Sequence, residues 1–249
     1  MTNKKENYTD YINDKNLQKK YINYQSNYKT NPRESDKKVI DLVKKYIPKK
    51  QNNRILDVAC STGNFLYHLK NQTFNCDLHG LDLSKESIEY CKSQDYLKQI
   101  NFFQDDITKF HSKVPYHVIT AIAVTCLLDD NQLEKALNSI YNSLEVSGVY
   151  IGFEWINPFN FQNLTIVETN EWNPQGYTIR MRTKKTLEDM IKKVGFKSIS
   201  YQPFNLPFDI EKPGYEKDVL TYTVKNEDNE RMAFRGILYQ PWHHFVVKK

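Results

Sequence analysis

Short apolar strands alternating with amphipathic helices predict a doubly wound α/β fold for this chain of 249 residues. The first observation is Arg54 to Val58, a short branched run bounded by polar residues, which reads as a buried parallel strand. It breaks into the small residues Ala59, Cys60, Ser61, Thr62 and Gly63, which let the backbone turn sharply beside a ligand. The second is that Phe65, Leu66 and Leu69 then recur at helical spacing, so the turn opens a helix whose free N–H groups face the loop. The third is repetition: Leu78 to Leu83, Ile100 to Gln104 and His117 to Ala123 are further strands of the same kind.

Composition sets the outer bounds. With 39% hydrophobic residues the chain is long enough for one α/β domain with a full core, and two independent enzymes are not expected. It contains no run of eighteen apolar residues and is polar from Met1 to Lys20, so neither a membrane span nor a signal peptide is expected, and the location is expected to be cytoplasmic. Cys60, Cys76, Cys91 and Cys126 lack paired metal spacing and read as reduced thiols, with no metal site. Net charge is +5, yet residues 1–50 alone hold thirteen Lys and Arg against six Asp and Glu.

That basic arm interleaves Tyr8, Tyr11, Tyr21, Tyr24 and Tyr28 with lysines. Such a composition is compatible with nucleic acid. The favoured reading is a helical arm that packs its aromatic face on the domain and leaves its lysines in water. Pro32 separates a first helix from a second with Val39, Ile40, Leu42, Val43 and Ile47 inward. Further along, Ser84 caps a helix through Ile88 and Cys91, and Asn131 to Leu144 is another. Gly148 precedes a fifth strand, Val149 to Phe153, that delivers Glu154, Trp155 and Asn157 at its carboxyl end, where doubly wound sheets bind ligands. Leu164–Glu168 and Tyr177–Arg182 flank Asn-Pro-Gln-Gly as a hairpin insertion, within 159–183. Lys185 to Val194 is a helix closed by Gly195, and Phe196 to Phe204 a sixth strand. Residues 206–232 read as an irregular lid or substrate loop, and Gly236 to Val247 as a seventh strand that Pro241 confines to an edge or bulge.

Asp57-x-Ala59-x-Ser61-x-Gly63 resembles the first motif of the class I S-adenosylmethionine-dependent methyltransferases, of whose alternating glycines only the last is kept. Asp82 follows nineteen residues beyond Gly63, at the tip of the second strand, where a carboxylate accepts from both ribose hydroxyls of a bound adenosine. Asp105-Asp106-Ile107 resembles the family's adenine-recognition turn, implying that Asp106 accepts from the adenine amino group and the Ile107 N–H donates to the ring. Ala123 and the residues after it resemble the loop under the cofactor. The resemblance implies a Rossmann-like sheet of seven strands, the last antiparallel, with helices on both faces and S-adenosyl-L-methionine as cofactor. Cofactor contacts are therefore expected at Asp57, Ala59, Cys60, Ser61, Gly63, Asp82, Leu83, Asp106, Ile107 and Ala123. The expected division is a single domain, with a helical arm at 1–48, a cofactor half at 49–155 and a substrate half at 156–249 carrying the two insertions.

Acceptor chemistry is less defined. The resemblance places Tyr24, Tyr28 and Arg33 of the arm near the methionine end, with Trp155 and His244 on the substrate side. Adjacent His243 and His244 point to opposite faces of the last strand, and His243 or Glu154 is a candidate general base for an alcohol, unless the acceptor is already an anion and needs none. The single proline of Asn157-Pro158-Phe159, after the fifth strand and not the fourth, argues against the amino-methylase signature. A small-molecule oxygen is expected, from a sugar or another biosynthetic intermediate bound for a surface glycan or secondary metabolite. Nucleic acid and membrane partners are not expected, and the chain is expected to be a monomer or homodimer. The rival readings are an RNA or ribosome methyltransferase using the basic arm, and a non-catalytic scaffold.

Overall fold

The structure, a computed structural model, describes residues 14–49, 52–72, 75–170, 173–214 and 221–249. Tyr8, Tyr11 and Trp172 lie outside the described residues. Helices α1 (Lys15–Ser26) and α2 (Glu34–Tyr46) come first, α1 capped by Asp14, whose carboxylate accepts from the amides of Asn16 at 2.8 Å and Leu17 at 3.1 Å. Then β1 (Asn53–Val58), α3 (Asn64–Lys70), β2 (Cys76–Asp82), α4 (Lys85–Ser93), β3 (Asn101–Gln104), β4 (Tyr116–Ile122), α5 (Asp130–Ser143) and β5 (Leu144–Asn157) alternate. α5 begins on a reciprocal capping box between Asp129 and Gln132. The hairpin of β6 (Leu164–Asn170) and β7 (Asn173–Thr183) leads into α6 (Lys184–Val194) and β8 (Ser198–Pro203). A small antiparallel sheet of β9 (Thr221–Lys225), β10 (Arg231–Arg235) and β11 (Leu238–Tyr239) precedes β12 (Trp242–Lys248).

The main sheet runs β3-β2-β1-β4-β5-β12-β8. Its first five strands run parallel to one another, while β12 is antiparallel to both β5 and β8. This is the expected Rossmann-like sheet with an antiparallel last strand. Because β2 and β4 leave β1 on opposite sides, the strand order reverses there and opens a crevice at the carboxyl ends.

Side-chain alternation divides the core between the two faces. Leu56, Val58, Ile119, Tyr150 and Phe245 pack on α5 and α6 through Leu133, Leu137 and Ile191. Ile55, Val118, Ile151 and Val246 pack on α2, α3 and α4 through Val39, Val43, Leu66 and Ile88. Gly152 sits where a Cβ would come within 2.1 Å of the Phe245 ring, so a side chain there would separate β5 from β12. No helix among the described residues is long and apolar enough to cross a membrane.

Three expectations are corrected. The fifth strand is fourteen residues long, since it starts before Gly148 and continues through Glu154 and Trp155 to Asn157. The seventh divides at Pro241, which has no N–H for the ladder, into β11 and β12. Residues 206–232 are not irregular throughout, because β9 and the start of β10 lie within them, and Phe234 stacks on Tyr222 at 5.4 Å.

Candidate active site

A cavity of about 510 Å³ lies over the carboxyl ends of β1, β2, β4 and β5, a size usual for a cofactor or drug-sized ligand. Leu17, Gln18, Tyr21, Tyr24 and Gln25 of α1 line one side of it. The helix is tied down by polar contacts: Ser84 Oγ donates to Gln18 Oε1 at 2.9 Å, and Asn64 Nδ2 donates to the Gln25 carbonyl at 2.7 Å.

At one end Asp82 lines the cavity with Leu83, Ile107 and Ala59. Its Oδ2 accepts from the Ser61 amide and its Oδ1 from the Ser84 amide, each at 2.8 Å. A carboxylate offers roughly four acceptor directions, so capacity remains for a diol. Burial pushes its pKa up, and the Ser84 and Ser61 amides oppose that shift. Ala59 and Ser61 adopt left-handed backbone, φ 58° and 54°, as does Ala123 beneath the cavity at 53°. That conformation costs a residue with a Cβ about 1–2 kcal/mol, and it is what the absent glycines of the motif would have eased. Gly63 is different. At φ 73° it precedes α3, and a Cβ there would lie 2.9 Å from Phe102 Cζ. These residues fit a nucleoside cofactor: an acid for the ribose, apolar Leu83 and Ile107 for the base, and a turn without bulky side chains at Ala59.

Other expected cofactor residues act from below. Asp57 accepts from Thr120 Oγ1 at 2.6 Å and does not line the cavity, and burial pushes its pKa up to about 8. Cys60 is buried, its amide donating to the Leu81 carbonyl at 2.9 Å. Asp106 does not line the cavity either. Its Oδ1 accepts from the amide and hydroxyl of Thr108, both at 2.8 Å, because an Asp side chain readily closes its own turn.

The expected bases are placed elsewhere. Glu154 Oε1 accepts from the amides of Val124 (2.9 Å) and Thr125 (2.7 Å) and from Thr125 Oγ1 (2.8 Å), while Oε2 accepts from the Cys126 amide at 3.2 Å. It shapes the loop after β4, which supplies Val124, Cys126 and Leu127 to the cavity. His243 Nδ1 donates to the Pro241 carbonyl at 2.9 Å and His244 Nε2 to the Ser35 carbonyl at 3.0 Å, and neither ring lines the cavity. Burial pushes the His243 pKa down and that of His244 to about 4. Of the arm residues, Tyr24 lines the cavity, whereas Arg33 stacks over the Tyr28 ring at 3.9 Å and bonds Gln25, bracing α1 against α2.

The other end of the cavity is walled by Trp155, Trp242, Tyr177, Ile179, Glu168, Arg235 and Gln240. Trp155 is a substrate contact expected from sequence, and Trp242 one of the aromatic residues that favour a small-molecule pocket. Glu168 and Tyr177 come from the recognised hairpin, but which of its alternating positions face inward depends on how it folds back on β5. Arg182 of the same hairpin, 5% exposed, donates to the carbonyls of Leu128 (2.6 Å) and Thr125 (3.4 Å), fixing the loop from the far side. Arg235 lay in a stretch with no periodic signal and could not be found from the sequence.

Residues 55–148 match the family model described as a methyltransferase domain. The chain is 28% identical over 168 residues to a carboxy-S-adenosyl-L-methionine synthase of Campylobacter jejuni, covering 59% of this chain and 71% of that protein. It is 25% identical over 111 residues to the malonyl-[acyl-carrier protein] O-methyltransferase of Bacillus anthracis, covering 45% of this chain and 40% of that one. Among solved structures, phosphoethanolamine N-methyltransferase 2 of Haemonchus contortus, in complex with S-adenosyl-L-methionine, shares the fold with a TM-score of 0.62. The identity is 13%, and the alignment covers all of this chain and 61% of that one.

Proposed function

We propose, for a chain that belongs to the class I S-adenosylmethionine-dependent methyltransferases, that it methylates an already ionised oxygen of a small acid. When bound, S-adenosyl-L-methionine supplies a methyl group on a sulfonium sulfur that departs as a neutral thioether. Asp82 holds the ribose, Leu83 and Ile107 flank the base, and the loop held by Glu154 lies between the cofactor and the aromatic wall. The protein's work is then alignment of the oxygen with the methyl carbon and exclusion of water, for which α1 is the cover.

One observation carries the reading: Glu154 and His243, the bases expected from sequence, are committed to backbone groups outside the cavity, as is the neighbouring His244, and the carboxylate in the acceptor wall, Glu168, is held by Arg235. A hydroxyl needs its proton removed as the methyl arrives, whereas a carboxylate or phosphate oxygen does not. The oxygen acceptor in the name of the Bacillus anthracis relative supports this choice. The sugar or biosynthetic intermediate expected from sequence fits best as an acid. Packing of α1 over the cavity favours the arm as a cover and not as a nucleic-acid contact.

A second reading is favoured by the Campylobacter jejuni relative, whose name makes a carboxylated cofactor the product. Radiolabelled methyl transfer to a panel of carboxylates, phosphates, neutral sugars and RNA, with mass analysis of the spent cofactor, tests both. Methyl esters with S-adenosylhomocysteine support the proposal. Transfer confined to neutral hydroxyls or RNA overturns it, and a carboxylated cofactor establishes the second reading.

A further inference from the structure

We propose that the end of the cavity remote from Asp82 is an anion subsite in which the Arg235 guanidinium, beside the Trp155 ring, grips a carboxylate or phosphate of the acceptor. The proposal rests on the methyltransferase reading, and it names the residue that selects acidic substrates.

The first argument is hydrogen-bond supply. Among the described residues that line the cavity, two buried side-chain polar atoms have no partner, Trp155 Nε1 and Arg235 Nε. Both are donors. A buried donor left unmet costs about 1–3 kcal/mol, and such groups call for an explanation. Both atoms are occluded as the side chains stand, so a ligand rich in acceptor oxygens provides one once the Arg235 side chain, which is partly exposed, turns toward it. Arg235 donates from Nη2 to Glu168 Oε1, so one edge of a guanidinium with five N–H donors is engaged. Its side chain is 39% exposed, which leaves the cation within reach of a ligand in the cavity.

Position supplies the second argument. Asp82 ends β2 and Trp155 lies near the end of β5, with β1 and β4 between them. Three strand spacings separate them, about 14 Å, so a nucleoside held at Asp82 leaves the Arg235 end for a second ligand. The rings of Trp155 and Trp242, edge to face at 5.4 Å, with Tyr177 and Ile179, give that ligand an apolar wall. The shape suits a compact acid with a small hydrocarbon frame.

The test is titration of malonate, and separately of inorganic phosphate, into the protein saturated with S-adenosylhomocysteine, followed by calorimetry and tryptophan fluorescence. Saturable binding is expected, and whichever anion binds more tightly identifies the acid as carboxylate or phosphate. Arg235→Gln should weaken it about tenfold or more, the loss of one charged hydrogen bond, with affinity for S-adenosylhomocysteine changed less than about twofold. Glu168→Gln keeps the cation and removes its competing carboxylate, so anion affinity should rise about threefold. Failure of both anions to saturate the wild-type protein overturns the proposal, as does unchanged or weaker anion binding in Glu168→Gln. If Arg235→Gln weakens S-adenosylhomocysteine as much as the anion, Arg235 belongs to the cofactor's own carboxylate and the proposal falls alone. If the wild-type protein does not bind S-adenosylhomocysteine, the methyltransferase reading falls with it.

Discussion

The nucleoside end of the cavity is built from three short stretches, Ala59, residues 81–84 and Ile107, each at or within three residues of the end of a parallel strand. The acceptor end draws Tyr24, Trp155, Glu168, Tyr177, Arg235 and Trp242 from segments spread over more than two hundred residues. The first is local: strand ends and a left-handed turn position it, and its spacing is written along the chain. The second exists only after the hairpin has folded onto β5 and β10 has joined β9 and β11. A common frame can therefore keep its cofactor while the acceptor changes, since different segments answer for the two.

The sharpest way to break that division is at Asp82. Asp82→Ala removes the acceptor for two ribose hydroxyls and releases the Ser61 and Ser84 amides, so affinity for S-adenosylhomocysteine should fall about a hundredfold or more by calorimetry. Malonate binding at the other end should change far less, measured on the variant without cofactor. Equal loss at both ends would show one site where two are described.

Gly63→Ala sharpens the same contrast through the backbone. Its Cβ would meet Phe102 at 2.9 Å in a left-handed conformation, and stability should drop by about 2–3 kcal/mol in thermal or urea unfolding. The smaller variants Ala59→Gly and Ser61→Gly should instead relieve the turn, each leaving folding unchanged or stabilised by less than about 1 kcal/mol.

Asp57 tests how deeply the nucleoside end is seated. Its folded pKa is raised to about 8 by burial, so the folded protein holds a proton there that the unfolded chain releases near pH 4. That contribution is fully present below the unfolded value and is lost as pH rises toward 8. Asp57→Asn, which cannot ionise, should therefore show a shallower fall in melting temperature than the wild type between pH 5 and 8.

The smallest effect is expected at the histidines. His243→Gln should leave the rate of methyl transfer within about threefold, and the pH profile without a lost limb, since a general base is worth about a hundredfold or more. A hundredfold drop with rescue by no other residue would return His243 to the reaction.

These differences explain what could be read in advance. The sheet, its switch point after β1, the hairpin and the acid at residue 82 follow from periodicity and from spacing that short-range chemistry imposes. Glu154 looked like a base because it stands at a strand tip, but strand β5 runs on past it and three loop amides take up its oxygens. His244 pairs with a backbone carbonyl 209 residues away that no local pattern reveals, and His243 turns back onto the Pro241 carbonyl two residues before it. Arg235 was hidden because its partner, Glu168, lies 67 residues earlier and in another sheet.

Glu154 has one more implication, for anyone who wishes to retune this protein. One side chain threads through three consecutive peptide units of the cavity floor, so an exchange there would be felt by both tenants at once. New acceptor preferences are better sought on the hairpin, at Glu168, Tyr177 and Ile179, whose neighbours belong to a single occupant.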